Sequence, residues 1–303
     1  MGERFMPEHR CVEEGGVKYV VMVVCGVFWI GGSPVLADQA PLGIGEMALE
    51  ADAVRVEKSM YSLLQPTPRS QWRPMSADRP DFTESPYTVD AGAVQLEMSF
   101  FDYAKSGTDH TWTVAPINLK LGLLNDVDLQ FVYHPYAQVT EDEQTTSGFG
   151  DDFQFRLKIN LWGNDGGETA MAFMPFLTIP TGPDDDKHLE GGLIFPFGMD
   201  LCEGVGLGLM FETDFVYDTL DDGYDTDIIG TAVIGFDVTE RIGVYCEGIS
   251  IGSTDHDVDF RGILGVGGTY TIDGNLQLDA GVNIGLAGKV DDVNVFAGIT
   301  VRF

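Results

Sequence analysis

The feature that most limits what this chain can fold into is a strict two-residue alternation, repeated along most of its length. At the C-terminal end Leu276, Leu278, Ala280, Val282, Ile284 and Leu286 share one parity, and Gln277, Asp279, Gly281, Asn283 and Gly285 the other. After a short link at 288–291, Val293, Val295, Ala297, Ile299, Val301 and Phe303 fall on one face. Asp292, Asn294, Gly298, Thr300 and Arg302 fall on the opposite one. Successive side chains of a strand point to opposite sides of a sheet, so each run reads as a strand with one apolar face. Each is about ten residues long, enough to cross a bilayer at a tilt.

The same pattern recurs upstream. About twelve strands are predicted, at 93–103, 111–123, 127–137, 152–162, 169–179, 191–202, 205–217, 227–238, 242–251, 258–271, 275–287 and 292–303. Asn125-Asp126, Asn164 to Gly167, Glu203-Gly204, Thr239-Glu240 and Asp273-Gly274 have the chemistry of tight hairpin turns. The intervening connections, 104–110, 138–151, 180–190, 218–226, 252–257 and 288–291, are longer and polar. Short turns at one end and long loops at the other are the pattern of an antiparallel transmembrane β-barrel, and an even strand number leaves both chain ends on the periplasmic side. A secreted sandwich also alternates. Strand length and the aromatics near strand ends (Tyr103, Trp112, Tyr136, Trp162, Tyr217) favour the membrane.

The N-terminal region supports an exported protein. An apolar run from Tyr19 to Ile30 is too short to span as a helix, and Val35-Leu36-Ala37 is a small-residue cleavage pattern. Residues 1–37 therefore read as a signal peptide, 38–91 as an extension and lead-in, and 92–303 as the barrel. Met47, Ala51, Val54, Tyr61 and Leu64 are spaced like one helical face, so the all-β fold is expected to carry a short, partly helical extension. That extension is read as a periplasmic tether, ahead of a plug folded into the barrel mouth or lumen.

Composition removes several functions. Lys+Arg is 17 and Asp+Glu 48, for a net charge of −31, which leaves no basic footprint for nucleic acid. Of the four cysteines, Cys11 and Cys25 lie in the leader. Cys202 and Cys246 have neither a CxxC spacing nor a histidine cluster, so they read as thiols rather than zinc ligands. No cofactor is implied. The acidic runs Glu141-Asp142-Glu143, Asp184-Asp185-Asp186, Asp221-Asp222 and Asp255-His256-Asp257 lack the spacing of an EF-hand. They read as a solvated outer rim. None of His110, His134, His188 or His256 has a nucleophile beside it, which argues against an enzyme and leaves an omptin-like surface protease as the least favoured reading.

Several stretches resemble the MetA-pathway phenol-degradation family of outer-membrane transporters, grouped with fatty-acid-transporter-like barrels. They are 78–86 (Asp-Arg-Pro-Asp-Phe-Thr-Glu-Ser-Pro) with Gln95-Leu96-Glu97, Gly148 to Asp151, Pro175 to Gly182, and 276–286 with the Arg302-Phe303 end. The resemblance implies an outer-membrane barrel, contact with outer-membrane lipids, and passage of small hydrophobic or aromatic molecules. The C-terminal strand resembles those read by the barrel-assembly machinery, with Phe303 as its terminal signal.

Within that frame the candidate residues sort by face. Glu97, Lys120, Asp128, Arg156, Lys158, Glu212, Asp214, Glu247, Arg261 and Asp279 are lumen-facing by parity, and Glu97, Lys120, Asp128, Arg156 and Lys158 invite a cross-strand ion network. In the family motif (Arg79, Pro80, Asp81, Phe82, Glu84), Pro80 and Pro86 force an extended lead-in, Asp81 and Glu84 offer carboxylates to Arg79 or a lumen base, and the motif is expected to pin the lead-in at the periplasmic mouth rather than bind substrate. Phe149, Tyr224 and Phe260 are candidate solute contacts. Pro196 is a candidate weak point in the wall. Against the transporter stand a cation-selective porin, favoured by the acidic rim, and a structural or adhesive barrel with a closed lumen.

Overall fold

The computed structural model describes residues 58–150, 152–181, 188–219 and 222–303, and a two-residue ladder joining Glu13–Glu14 to Val17–Lys18. That ladder belongs to a separate unit, residues 1–57. The rest of the leader, the helix-like stretch as far as residue 57, Asp151, Gly182, Asp184 to Asp186 and Asp221 lie outside the described residues.

The second unit is built from one antiparallel sheet. Its strands in chain order are β1 Val94–Ser106, β2 Asp109–Val114, β3 Ile117–Leu124, β4 Val127–Tyr133, β5 Tyr136–Glu141, β6 Gln144–Phe149, β7 Asp152–Trp162, β8 Thr169–Pro180, β9 Glu190–Cys202, β10 Val205–Asp218, β11 Gly223–Asp237, β12 Ile242–Ser253, β13 Arg261–Asp273, β14 Leu276–Ala287 and β15 Val293–Arg302. Each pairs with its neighbour around the ring. β15 returns to β1, with Val295 opposite Tyr103 and Arg302 opposite Gln95, so the sheet closes. Closure removes the open edge that unpaired backbone groups would otherwise present to lipid.

The ring is twelve-stranded because three staves are each broken into two pieces. β2 and β3 form one stave, interrupted at Ala115-Pro116. β4 and β5 form the next, interrupted at His134-Pro135, and β6 and β7 the third, interrupted after Phe149. The breaks align: Val114 pairs with Tyr136 just above, Ile117 with Tyr133 just below, and the Gly150 amide donates to the Pro135 carbonyl at 3.1 Å. β1 bulges at the same level, since Ala297 faces Phe101 while Gly298 faces Ser99. Pro116 and Pro135 have no N–H to give the ladder, and Ala115 takes a positive φ of 53° to turn the corner. The polar stretch 138–151, expected to be a loop, is therefore mostly a hairpin extension. Thr140 pairs with Thr145 and Tyr136 with Phe149. Its residues are polar because the extension stands clear of the bilayer.

The faces follow the parity of the sequence. Leu129, Phe155, Leu161, Phe211, Phe215, Ile228 and Ile284 are exposed on the outer surface. Asp128, Lys158, Met210, Glu247, Asp279 and Thr300 are buried inside. The interior also takes Phe296, an aromatic on the polar face of the last strand. The Tyr103 and Trp112 rings lie 4.5 Å apart, tilted at 45°, near the outer end, while Trp162, Tyr270 and Phe303 are exposed near the tight-turn end. Such girdles mark the two interfaces of a bilayer.

A loop from the N-terminal side fills the lumen

What occupies the inside of the barrel is the lead-in. After a 3-10 turn at Lys58–Met60 the chain reverses between Ser62 and Gln65 and enters the mouth. There Arg73, Asp90 and Arg302 form a buried knot. The Arg73 amide donates to Asp90 Oδ2 at 2.9 Å, and Arg302 Nη1 donates to the Arg73 carbonyl at 2.9 Å. Arg302 also lies 4.9 Å over the Trp72 ring. The knot grips the tight turns: Arg73 Nη2 donates to the Asn125 carbonyl at 2.9 Å, and Lys58 pairs with Asp165 at 2.9 Å. Partial burial would raise the Asp165 carboxyl. The Asn125 amide together with Lys58 and Arg73 outweighs it and holds that group below the usual carboxylate range.

Residues 76–86 then turn upward and double back, with the Ser76 and Ser85 hydroxyls 2.6 Å apart. Side chains from strands all around the ring hold this loop. Lys120 on β3 pairs with both Asp78 and Glu97, and Lys158 on β7 reaches the two Asp78 oxygens at 2.8 and 2.9 Å. The Ser85 amide donates to Asp78 at 2.8 Å, and the Asp78 amide donates to Glu97 at 3.2 Å. On the far side Glu247 on β12 accepts the Phe82 and Thr83 amides at 2.9 and 2.8 Å and the Thr83 hydroxyl at 2.5 Å. Arg79 clasps Asp279 on β14 (Nη2 to Oδ1 2.6 Å, Nε to Oδ2 3.2 Å) and donates to Ser99 Oγ at 2.6 Å. Glu84 pairs with Arg156. A loop touching β1, β3, β7, β12 and β14 can only lie inside the ring.

Glycine makes room for it at two places. A side chain on Gly298 would meet the Arg79 Cζ at 2.7 Å, and one on Gly122 would meet the Asp90 carbonyl carbon at 2.6 Å. At both sites the backbone of the wall must accept the loop at close range.

The loop divides the free space. A chamber of about 310 Å3 on its outer side is lined by Phe82, Ile117, Val132 and Ile194 and by Glu84, Arg156 and Glu212. A larger one, about 870 Å3, lies on the tight-turn side against the glycine-rich wall of β9 to β12.

Among proteins of known kind, a family described as "Putative MetA-pathway of phenol degradation" matches residues 77–303. The chain belongs to this family. The match begins at the foot of the inward loop, so loop and barrel are covered together. No curated protein matches the chain. A crystal structure of an outer membrane channel from Pseudomonas putida F1 is similar at 14% identity and a TM-score of 0.53, covering 75% of this chain and 100% of that one. The NanC porin is similar at 8% identity and a TM-score of 0.50, covering 69% and 100%. The fold is that of outer-membrane channels, and the protein is an outer-membrane barrel of porin-like construction.

The structure brings some of the expected charges together and leaves others apart. Lys120 and Glu97 are paired, and Lys158 joins them through Asp78, which belongs to the lead-in. Asp128 instead accepts the Val89 amide at 3.0 Å and the Gln130 amide at 3.1 Å, so it anchors the chain rather than a base. Arg79 pairs with Asp279, not with Asp81 or Glu84, while Glu84 meets the lumen base Arg156, so the motif lies within the lumen rather than at the periplasmic mouth. Glu212 lines the outer chamber with Arg156, and Arg261 pairs with Asp227 at 2.5 Å higher on the wall. Asp218, Asp225 and Asp255 bring carboxylate oxygens within 4.8 Å of one another at the rim. Cys202 and Cys246 are both thiols. Phe149, Tyr224 and Phe260 are exposed at separate rim positions and line neither chamber. The parts that parity reasoning missed are Asp78, Arg73 and Asp90. Their signal was present: charges flanking the prolines of the lead-in, next to a wall with an excess of inward charge.

Proposed function

We propose that the barrel passes small apolar or aromatic molecules across the outer membrane. The observation that carries this is the outer chamber. At about 310 Å3 it suits a single-ring solute, and Phe82, Ile117, Val132 and Ile194 give it an apolar side. An apolar solute gains roughly 25 cal/mol per Å2 on leaving water, so such a wall suffices to draw it in. Glu84, Arg156 and Glu212 line the same chamber, with Glu212 directly beside Ile194 across the β9–β10 ladder, and fit a hydroxyl or other polar substituent. The chamber also includes Pro116 and His134, at the level where β1 and three adjacent staves lose regular pairing. That row is a better candidate for a weak wall than Pro196, which is buried and stays in register with Met210.

A cation-selective porin is the second reading, favoured by Asp78, Asp81, Glu84, Glu97 and Glu212 around the same chamber. Reconstituted protein separates the two when solute uptake and bilayer currents are measured on one sample. Uptake of phenol-sized aromatics with little current supports the proposal. Large cation-selective steps from unmodified protein would replace it with the porin. Neither signal from folded protein would withdraw both.

A further inference from the structure

Among the described residues, two, Arg79 and Asp81, belong to the walls of both chambers. The tip of the inward loop is thus the partition between the outer chamber and the tight-turn side. We infer that Arg79, clasped by Asp279, is the latch and the charge barrier of the lumen, and that releasing it turns the barrel into a cation-conducting pore. The inference rests on the channel reading of the fold and not on the identity of the solute.

The argument is geometric. The Arg79 guanidinium is spread flat by four contacts. These are two bonds to Asp279, one to Ser99 Oγ, and the Phe296 ring 5.7 Å away. It occupies the space a side chain on Gly298 would fill. A bidentate guanidinium–carboxylate pair fixes direction as well as distance, so it holds the tip across the lumen rather than merely near the wall. The rest of the tip hangs on Glu247 through backbone amides, and those bonds would survive a change at residue 79. Asp81 makes no salt bridge among the described residues. Arg79 is therefore the cation that faces both chambers at the partition. Remove it, and Asp78 and Glu97 keep Lys120 and Lys158 and Glu84 keeps Arg156, while Asp81 and the freed Asp279 stand at the partition with no ion pair among the described residues. An acidic constriction concentrates cations and excludes anions.

Single-channel recording in planar bilayers tests this on the full mature chain, with Arg79→Ala and Asp279→Asn compared with the unmodified protein. Asp227→Asn serves as a control, because it breaks another Arg–Asp pair, held by one bond from Arg261, that lies away from the partition. Heat-modifiable gel migration confirms that each variant is a folded barrel. The expected result is a several-fold rise in conductance for both latch variants and none for the control. In a salt gradient the Arg79→Ala reversal potential should shift toward that of the cation. Folded latch variants with unmodified conductance, an equal rise in the control, or an unselective pore would each overturn the inference. Failure of the proposed solute passage reads out separately, as absent uptake by the unmodified protein, and leaves the conductance comparison standing.

Discussion

Asp78 is the residue on which the inward loop most depends, and its replacement by asparagine gives a calculable loss. Two lysines converge on it, and their side chains are 2% and 0% exposed. Lys120 keeps Glu97 as a partner when Asp78 is neutralised. Lys158 keeps one ion pair among the described residues, to Glu84 at 3.7 Å. At the 2.8 Å separation of Lys158 and Asp78 the Coulomb attraction is roughly 6 kcal/mol for an effective dielectric of about 20. Desolvation of both ions offsets part of it in the native pair, but the lysine left behind stays desolvated. Breaking one side of a buried pair typically costs about 3–5 kcal/mol. Asparagine still accepts the Ser85 amide, so backbone contacts do not add to the loss. The expected cost of Asp78→Asn is thus about 3–5 kcal/mol. Urea titration of the protein refolded in lipid vesicles measures it. Adding Lys158→Met removes the orphaned cation, so the double variant should recover part of the loss rather than add to it. A single-variant cost below about 1 kcal/mol, or strict additivity in the double, would refute the idea that these buried charges hold the loop.

Three other outcomes are expected. Val282→Arg puts a charge on the lipid side and should cost about 2–4 kcal/mol near the bilayer midplane, whereas Asn283→Arg on the lumen side should cost much less; equal losses in the same titration would contradict the assignment of faces. Asp165 has a lowered carboxyl in the folded state, so the stability it lends is present above the unfolded value of about 3.9 and is lost as pH falls through the lower, folded one. Hydrogen exchange of residues 58–76 should therefore quicken in that acidic window, and Asp165→Asn should remove the pH dependence; an unchanged profile in the variant would assign the effect elsewhere. The mature chain should begin at Asp38, and a mass from isolated outer membranes that retains residues 17–37 would disprove the cleavage site.

The ring of the barrel was legible because it is dictated locally. Alternation in β14 and β15 requires one face in lipid and one inside, and Gly274 or Glu203-Gly204 requires a tight reversal, whatever the rest of the chain does. The same parity marked Glu97, Lys120, Lys158, Glu247 and Asp279 as inward. It grouped Glu97 with Lys120, which do pair, but could not find the partners of Lys158, Glu247 and Asp279. A strand pattern states which face a side chain takes, not which of the other staves it meets across the lumen. Arg79 and Asp279 are 200 residues apart in sequence, and Thr83 and Glu247 are 164. The polar stretch 138–151 was misread for a related reason: outside the bilayer a strand need not alternate in hydropathy, so β6 carries no apolar stripe to announce it. Closure of the ring is what decided the rest. It created an interior with too many buried charges to leave unpaired. The lead-in, whose prolines keep it out of helix, supplied Asp78, Arg79 and Glu84 to meet them.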